Sequence, residues 1–174
     1  MSSFPDTFLI PFLFIFGSII GSFLNVVIYR VPKKMSIIKP RSHCFSCKKS
    51  ILARDNIPIM GYFLLNGRCR HCDTFYPSRY AFVELITALL TICVYFIYGI
   101  GQPFLIYLTL TYLLIAITFV DIDHFIIPNG FVLIGIGVLA FGLYFQWIPI
   151  TWEDSLYGSL VFAGFLFTVG LIGQ

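Results

Sequence analysis

The sequence predicts an all-α polytopic membrane protein of about five transmembrane helices, with a small polar domain set between the first and the second. Three observations carry that expectation. Of the 174 residues, 59% are hydrophobic and only 11% are charged, whereas a soluble globular domain is about 45–50% apolar and 25% charged. The apolar residues gather into runs close to the roughly 20 residues that a bilayer-crossing helix needs. All 11 Lys and Arg residues fall between Arg30 and Arg79, and give the chain its net charge of +3.

Residues 1–29 hold the first span. Its opening residues carry no Lys or Arg, so they lack the charged head of a secretory signal peptide, and the run 8–29 is long enough to cross. The basic segment follows at once. Basic loops beside spans stay on the cytoplasmic side, so the amino terminus is expected outside and Arg30 inside. Charge gathered this way speaks for topology, and no nucleic-acid partner is expected. Gly17, Ser18, Gly21 and Ser22 place small residues at one-turn spacing, a surface that another helix can approach closely. Asn25 reads as an interhelical hydrogen-bonding amide. Pro32 ends the helix.

Residues 30–80 carry Pro, Gly, Asn and Cys at short intervals without a long amphipathic period, so short strands and turns around a metal are expected. Cys44-Phe-Ser-Cys47 and Cys69-Arg-His-Cys72 are two C-x-x-C pairs flanking residues 48–68, a gap just past that of four-cysteine zinc sites. In a reducing cytoplasm thiolate ligation is favoured over disulfides. Cys44, Cys47, Cys69 and Cys72 are therefore expected to hold one structural zinc, or an iron in the same tetrahedron. Such a closed site leaves no position for water and serves to fold a loop too small for its own core. His43 and His71 are expected beside the site rather than in it. Cys93, alone in the second span, is expected to be a small buried apolar residue.

The segment 81–174 should form the rest of the bundle, with spans at about 81–98, 104–120, 130–147 and 156–172 and an inner loop at 121–129. Glu84 lies one turn into the second span. Trp147 and Trp152 suit the outer interface, the acidic Glu153 and Asp154 fall in an outer loop, and five crossings end inside at Gln174. Asp121 and Asp123 stand at a membrane boundary, where carboxylates are costly enough to suggest function. Two residues apart on a helix they point about 200° from one another. An aspartyl dyad needs two carboxyls some 3 Å apart, one ionised and one protonated, so Asp121 requires a partner from elsewhere. His124, three residues on, offers the alternative of a boundary ion pair with Asp121.

In chain order, Gly21-Ser-Phe-Leu-Asn-Val-Val-Ile-Tyr-Arg30-Val-Pro32, the two cysteine pairs, Asp55-Asn-Ile-Pro58, Gly67-Arg-Cys69, Ser78-Arg-Tyr80 leading to Glu84-Leu85, and Asp121-Ile-Asp-His124 with Pro128 resemble the bacterial type IV prepilin peptidases over nearly the whole chain. The resemblance implies a multi-pass inner-membrane aspartic protease of the G-x-G-D class. Such enzymes remove the leader of type IV prepilins and pseudopilins at the cytoplasmic face, for type IV pili or type II secretion. Bifunctional members also methylate the new amino terminus using S-adenosylmethionine. Carried over, it makes Asp121 a catalytic aspartate, Asp123 and His124 supporting residues, the four cysteines the metal cluster, and the Gly67 segment the part linked to methyl transfer. Asn129 and Ala81 depart from the family's usual Asp and Pro. The second aspartate, in a G-x-G-D motif just beyond the fifth span, does not occur before Gly173-Gln174. The polypeptide is thus expected to carry half of a dyad, as a fragment inactive alone in proteolysis. The alternative is a shortened, non-proteolytic membrane protein that binds prepilins or assembly partners through its cysteine domain.

Overall fold

The computed structural model describes residues 6–172, so the expectations placed on the first five residues and on Gly173-Gln174 lie outside it. Among the described residues six α-helices follow in order, with a 3-10 turn at Ala53–Asn56 before the second: α1 (Asp6–Arg30), the short α2 (Met60–Leu64), α3 (Arg79–Tyr98), α4 (Gln102–His124), α5 (Asn129–Tyr144) and α6 (Trp152–Ile172). Among the described residues α1, α3, α4 and α6 are long and apolar enough to cross a membrane. The other apolar helix, α5, has 16 residues, which at 1.5 Å per residue rise about 24 Å, against a hydrocarbon core of about 30 Å. It is shorter than the expected run 130–147 because its end is closed by a turn. Gln146 takes φ 55°, its N–H donates to Leu143 O at 3.2 Å, and Trp147 N–H reaches Gly142 O at 2.8 Å, the paired bonds of a Schellman ending.

The first helix ends in the same way. Lys34 takes φ 55°, with Lys34 N–H on Val31 O at 3.0 Å and Met35 N–H on Arg30 O at 3.0 Å. The strands expected around the metal are absent among the described residues. In their place stand turns with two isolated antiparallel bridges, His43 with Ser50 and Arg68 with Phe75. Each bridge closes one tight turn, which leaves no length for a ladder to propagate.

The packing of α1 against α3 organises the bundle. A Cβ on Gly17 would lie 2.8 Å from Ala88 Cα, and one on Gly21 would lie 2.7 Å from Glu84 Cα, so the small-residue face expected in the first span is where α3 lies against it. Leu24 and Ile28 of α1, Val83 of α3 and Ile115, Ala116 and Val120 of α4 form the buried cluster at the end nearest the cysteines. Thr91 Oγ1 and the Tyr112 hydroxyl, 2.9 Å apart, tie α3 to α4. Cys93 corrects the expectation of burial: it is exposed, on the side of α3 away from this seam. In lipid an apolar side chain gains nothing by turning inward, so its chemistry alone could not fix its face. α5 and the turn after it lean on α4, where Leu143 and Ile148 form a buried cluster with Ile106.

Overpacking the seam should loosen the bundle. Gly21→Leu is expected to destabilise it by about 1–3 kcal/mol, read as a lowered unfolding midpoint in detergent. Gly137→Leu, at a glycine with nothing within 4 Å, should leave that midpoint unchanged.

Candidate metal centre and membrane-boundary carboxylates

Both C-x-x-C pairs are built as the same turn. Cys44 N–H donates to Lys49 O at 2.9 Å and Lys48 N–H to Cys44 O at 3.0 Å; Cys69 N–H donates to Thr74 O at 2.9 Å and Asp73 N–H to Cys69 O at 2.9 Å. Lys48 and Asp73, one past the second cysteine of each pair, both take the left-handed conformation, at φ 59° and 56°. These turns point the four sulfurs at one another: all lie within 4.8 Å, with Cys44 and Cys72 at 3.6 Å and Cys47 and Cys69 at 4.0 Å. A zinc about 2.3 Å from each thiolate of a tetrahedron separates the sulfurs by roughly 3.8 Å. The donor set therefore fits one tetrahedral ion, and the thiols are free.

The surroundings share charge unevenly among the sulfurs. The Thr74 hydroxyl and backbone amide pull the Cys72 thiol down to about 6, and backbone donation at His71 lowers Cys69. At Cys47 the Lys49 amide pulls downward, but burial and the three neighbouring thiols outweigh it and push this thiol up to about 11. Closely spaced thiols resist full ionisation unless a cation joins them. His43 turns its ring to Arg41 O at 3.0 Å, and the metal-competent cluster contains cysteines alone.

The domain is tied to the helix ends by polar side chains. Arg30, only 6% exposed, donates to Ser36 O at 2.8 Å and to Pro40 O at 2.7 Å. Asn25 donates across the seam to Tyr80 O at 3.0 Å, the interhelical role expected of it. Glu84 accepts Ile59 N–H at 2.6 Å, so this carboxylate holds the segment before α2. Asp55 receives Arg70 through two bonds of 2.6 and 2.8 Å, and that guanidinium holds its carboxyl below the usual range. Between the domain and the helix ends lies a cavity of about 650 Å³, lined among others by Asn25, Tyr29, Tyr62, Gly67, Tyr80 and Glu84. Gly67 takes φ +65°, and a Cβ there would come within 2.9 Å of the Tyr62 ring. This glycine shapes the cavity wall.

α4 stays helical through His124, which keeps Asp121 and Asp123 on different faces as the helical period requires. The two nearest acids therefore do not form a dyad. Arg79, at the start of α3, places Nη1 2.5 Å from both carboxylate oxygens of Asp123. Asp121 is exposed, and among the described residues it forms no ion pair, with His124 or otherwise. The alternative of an Asp121–His124 pair is not realised. Sequence reasoning missed the Arg79–Asp123 clasp, whose partners lie 44 residues apart; the one signal was a lone Arg at a helix start. Thr151 caps α6 by accepting the Asp154 N–H at 3.1 Å and donates its hydroxyl to the Asp154 carboxylate at 2.7 Å, at the opposite end of the bundle. Asp121 does not line the cavity.

Residues 15–98 match the family described as the Bacterial Peptidase A24 N-terminal domain. The chain is 38% identical over 166 residues to a "Type 4 prepilin-like proteins leader peptide-processing enzyme" of Escherichia coli O78:H11, covering 83% of the chain and 61% of that protein. It is 38% identical over 155 residues to a "Prepilin leader peptidase/N-methyltransferase" of Myxococcus xanthus, covering 89% and 45%, and 36% identical over 179 residues to one of Neisseria gonorrhoeae, covering 88% and 62%. The chain thus spans about half to three-fifths of these relatives. No solved structure matches it.

Metal analysis of the purified chain should find about one zinc per polypeptide, and Cys69→Ser should lose it. Because thiolates and not thiols bind, retention should fall as pH falls, and dialysis against a pH series with metal quantitation reads it. The Asp55–Arg70 pair has the same sign by a different route. A carboxyl lowered in the folded state contributes stability above its unfolded value, and that stability is lost as pH falls through the lowered one. Arg70→Ala should flatten this acid-side loss, followed by hydrogen exchange of residues 53–61.

Proposed function

We propose, for a chain that belongs through residues 15–98 to the family of the bacterial peptidase A24 N-terminal domain, that it works in the removal of leader peptides from type IV prepilins and pseudopilins. The observation that carries this reading is the placement of Asp121, an exposed carboxylate at the end of α4, beside the start of α3 and so at the end of the bundle that bears the cysteine domain. All 11 Lys and Arg residues lie in the segment at that end, and the positive-inside rule assigns such an end to the cytoplasm, here of a bacterial inner membrane.

The chemistry follows from a carboxyl dyad. The ionised member takes a proton from water as the oxygen adds to the scissile carbonyl; the protonated member donates to the carbonyl oxygen, and the leaving amide nitrogen takes a proton as the bond breaks. Asp121 is one member. Among the described acids none supplies the other: Asp123 is held by Arg79, Asp55 by Arg70 and Glu84 by the Ile59 amide. Asp123 acts as a positioning residue that fixes the last turn of α4, with His124 beside it. The four cysteines hold a structural ion and keep the polar domain folded over the cavity.

Several relatives are named N-methyltransferases as well as leader peptidases, and the matching second activity here is methylation of the new amino terminus. A donor such as S-adenosylmethionine would supply the methyl group. The cavity beside Gly67 and Tyr62, at about 650 Å³, lies in the range of small-molecule sites, and its residues would hold and orient the donor. The competing reading, a non-proteolytic binder of prepilins or assembly partners through the cysteine domain, is favoured by the basic residues gathered around the two cysteine pairs.

Expressed within a complete, cleavage-competent protein, Asp121→Asn should reduce leader cleavage by roughly 10²–10⁴-fold while the protein still inserts, scored by the mobility of a prepilin substrate. Retained cleavage refutes the assignment of Asp121 to the reacting dyad. Reporter fusions at residues 60 and 125 should report the same, cytoplasmic, side of the membrane.

A further inference from the structure

The ion pairs divide the basic segment into two parts. Arg68, Arg70 and Arg79 each meet an acid: Asp73, Asp55 and Asp123. Lys33, Lys34, Lys39, Arg41, Lys48 and Lys49 form no ion pair among the described residues, and residues 31–54 contain no Asp or Glu. Amid these cations Met35 and Ile37 are exposed, and Ile38 is 79% exposed. These aliphatic side chains are thus flanked in sequence on both sides by cations that form no ion pair among the described residues.

This loop is built, not slack. Its carbonyls at Ser36 and Pro40 are gripped by the Arg30 guanidinium, and Ser36 Oγ accepts the amides of Ile38 and Lys39 at 3.3 Å. Arg30 is the last residue of α1, a candidate membrane span. The grip therefore holds residues 36–40 within one arginine side chain of the point where that span ends. Unpaired cations draw anionic headgroups at a bilayer surface, and aliphatic side chains there settle at the boundary of the acyl chains.

We infer that residues 33–41 form a docking surface for the anionic phospholipid headgroups of the leaflet in which α1 ends. Lys33, Lys34, Lys39 and Arg41 meet the phosphates, and Ile37 and Ile38 enter between the tops of the acyl chains. Lys48 and Lys49 extend the surface along the first cysteine turn. The contact holds that turn down against the bilayer, and it stands whether or not the chain cleaves prepilins.

The test uses the whole chain in nanodiscs, with Ile38→Trp placed in a Trp147→Phe, Trp152→Phe background. Brominated phosphatidylglycerol should quench the introduced indole at least about twofold more than brominated phosphatidylcholine. That excess should vanish near 1 M salt, where screening acts over about 3 Å, and in the combined Lys33→Gln, Lys34→Gln, Lys39→Gln, Arg41→Gln variant. On the unaltered chain, phosphatidylglycerol should slow hydrogen exchange of residues 33–41 several-fold relative to phosphatidylcholine alone. Equal or absent quenching, with exchange indifferent to lipid charge, overturns the inference. So does slowing by inorganic phosphate or an acidic peptide in phosphatidylcholine discs that phosphatidylglycerol fails to produce, since the surface would then serve a soluble anion or a protein.

Discussion

Where Gly21 faces α3, the missing side chain lets the Glu84 backbone approach so closely that a Cβ would stand 2.7 Å from its Cα, and the placement of the polar domain depends on that approach. Between lipid tails there is no hydrophobic force to drive two helices together; close contact and side-chain hydrogen bonds must do it. The seam delivers both. It brings Asn25 to the Tyr80 carbonyl and sets the Glu84 carboxylate where the Ile59 amide can donate to it. The ends of residues 31–78 are thereby held side by side before any sulfur meets another. Closing a flexible loop carries an entropic cost that grows with length, and here the membrane helices bear it.

The metal centre then closes the middle of a segment whose ends the helices already hold. Each C-x-x-C turn is closed by its own two backbone bonds, and Arg70 joins the second turn to Asp55 on the segment between them. What remains is mutual repulsion among four sulfurs packed within 4.8 Å, which an ion would relieve. Gly67 serves the same assembly. It follows Asn66, whose φ of 49° ends α2, and its lack of a Cβ admits the Tyr62 ring.

Much of this was legible in the sequence because lipid and metal impose strict patterns. A span must be long and apolar, so four of the five expected runs lie within a few residues of helices long and apolar enough to cross, and Gly17 and Gly21 advertised their seam. Four cysteines in two C-x-x-C pairs have few other uses. Two of the misses, the strands and the length of α5, share one physical origin: they depend on backbone conformations that the residue types do not announce. Lys34, Lys48, Asn66, Asp73 and Gln146 all take left-handed φ without being glycine. Three of them end helices and two shape the cysteine turns, so strands were expected where turns close, and α5 was drawn too long. Cys93 was misplaced for a different reason, since an apolar helix in lipid carries no polar face from which to read its inner side.

The Arg79–Asp123 clasp joins these levels. As an ion pair its worth is small, because both side chains are partly solvated, at 35% and 29% exposure, and such pairs contribute about 0–1 kcal/mol. Its effect is orientational. Arg79 opens α3 directly after the cysteine domain, and Asp123 lies in the last turn of α4, so the clasp sets the roll of that turn against the domain's exit. With Asp123 held, the helical period carries Asp121 about 200° round to a different face. There it stands exposed and, among the described residues, without a basic partner. The roll of one helical turn thus separates the aspartate that meets an arginine from the aspartate that is left exposed.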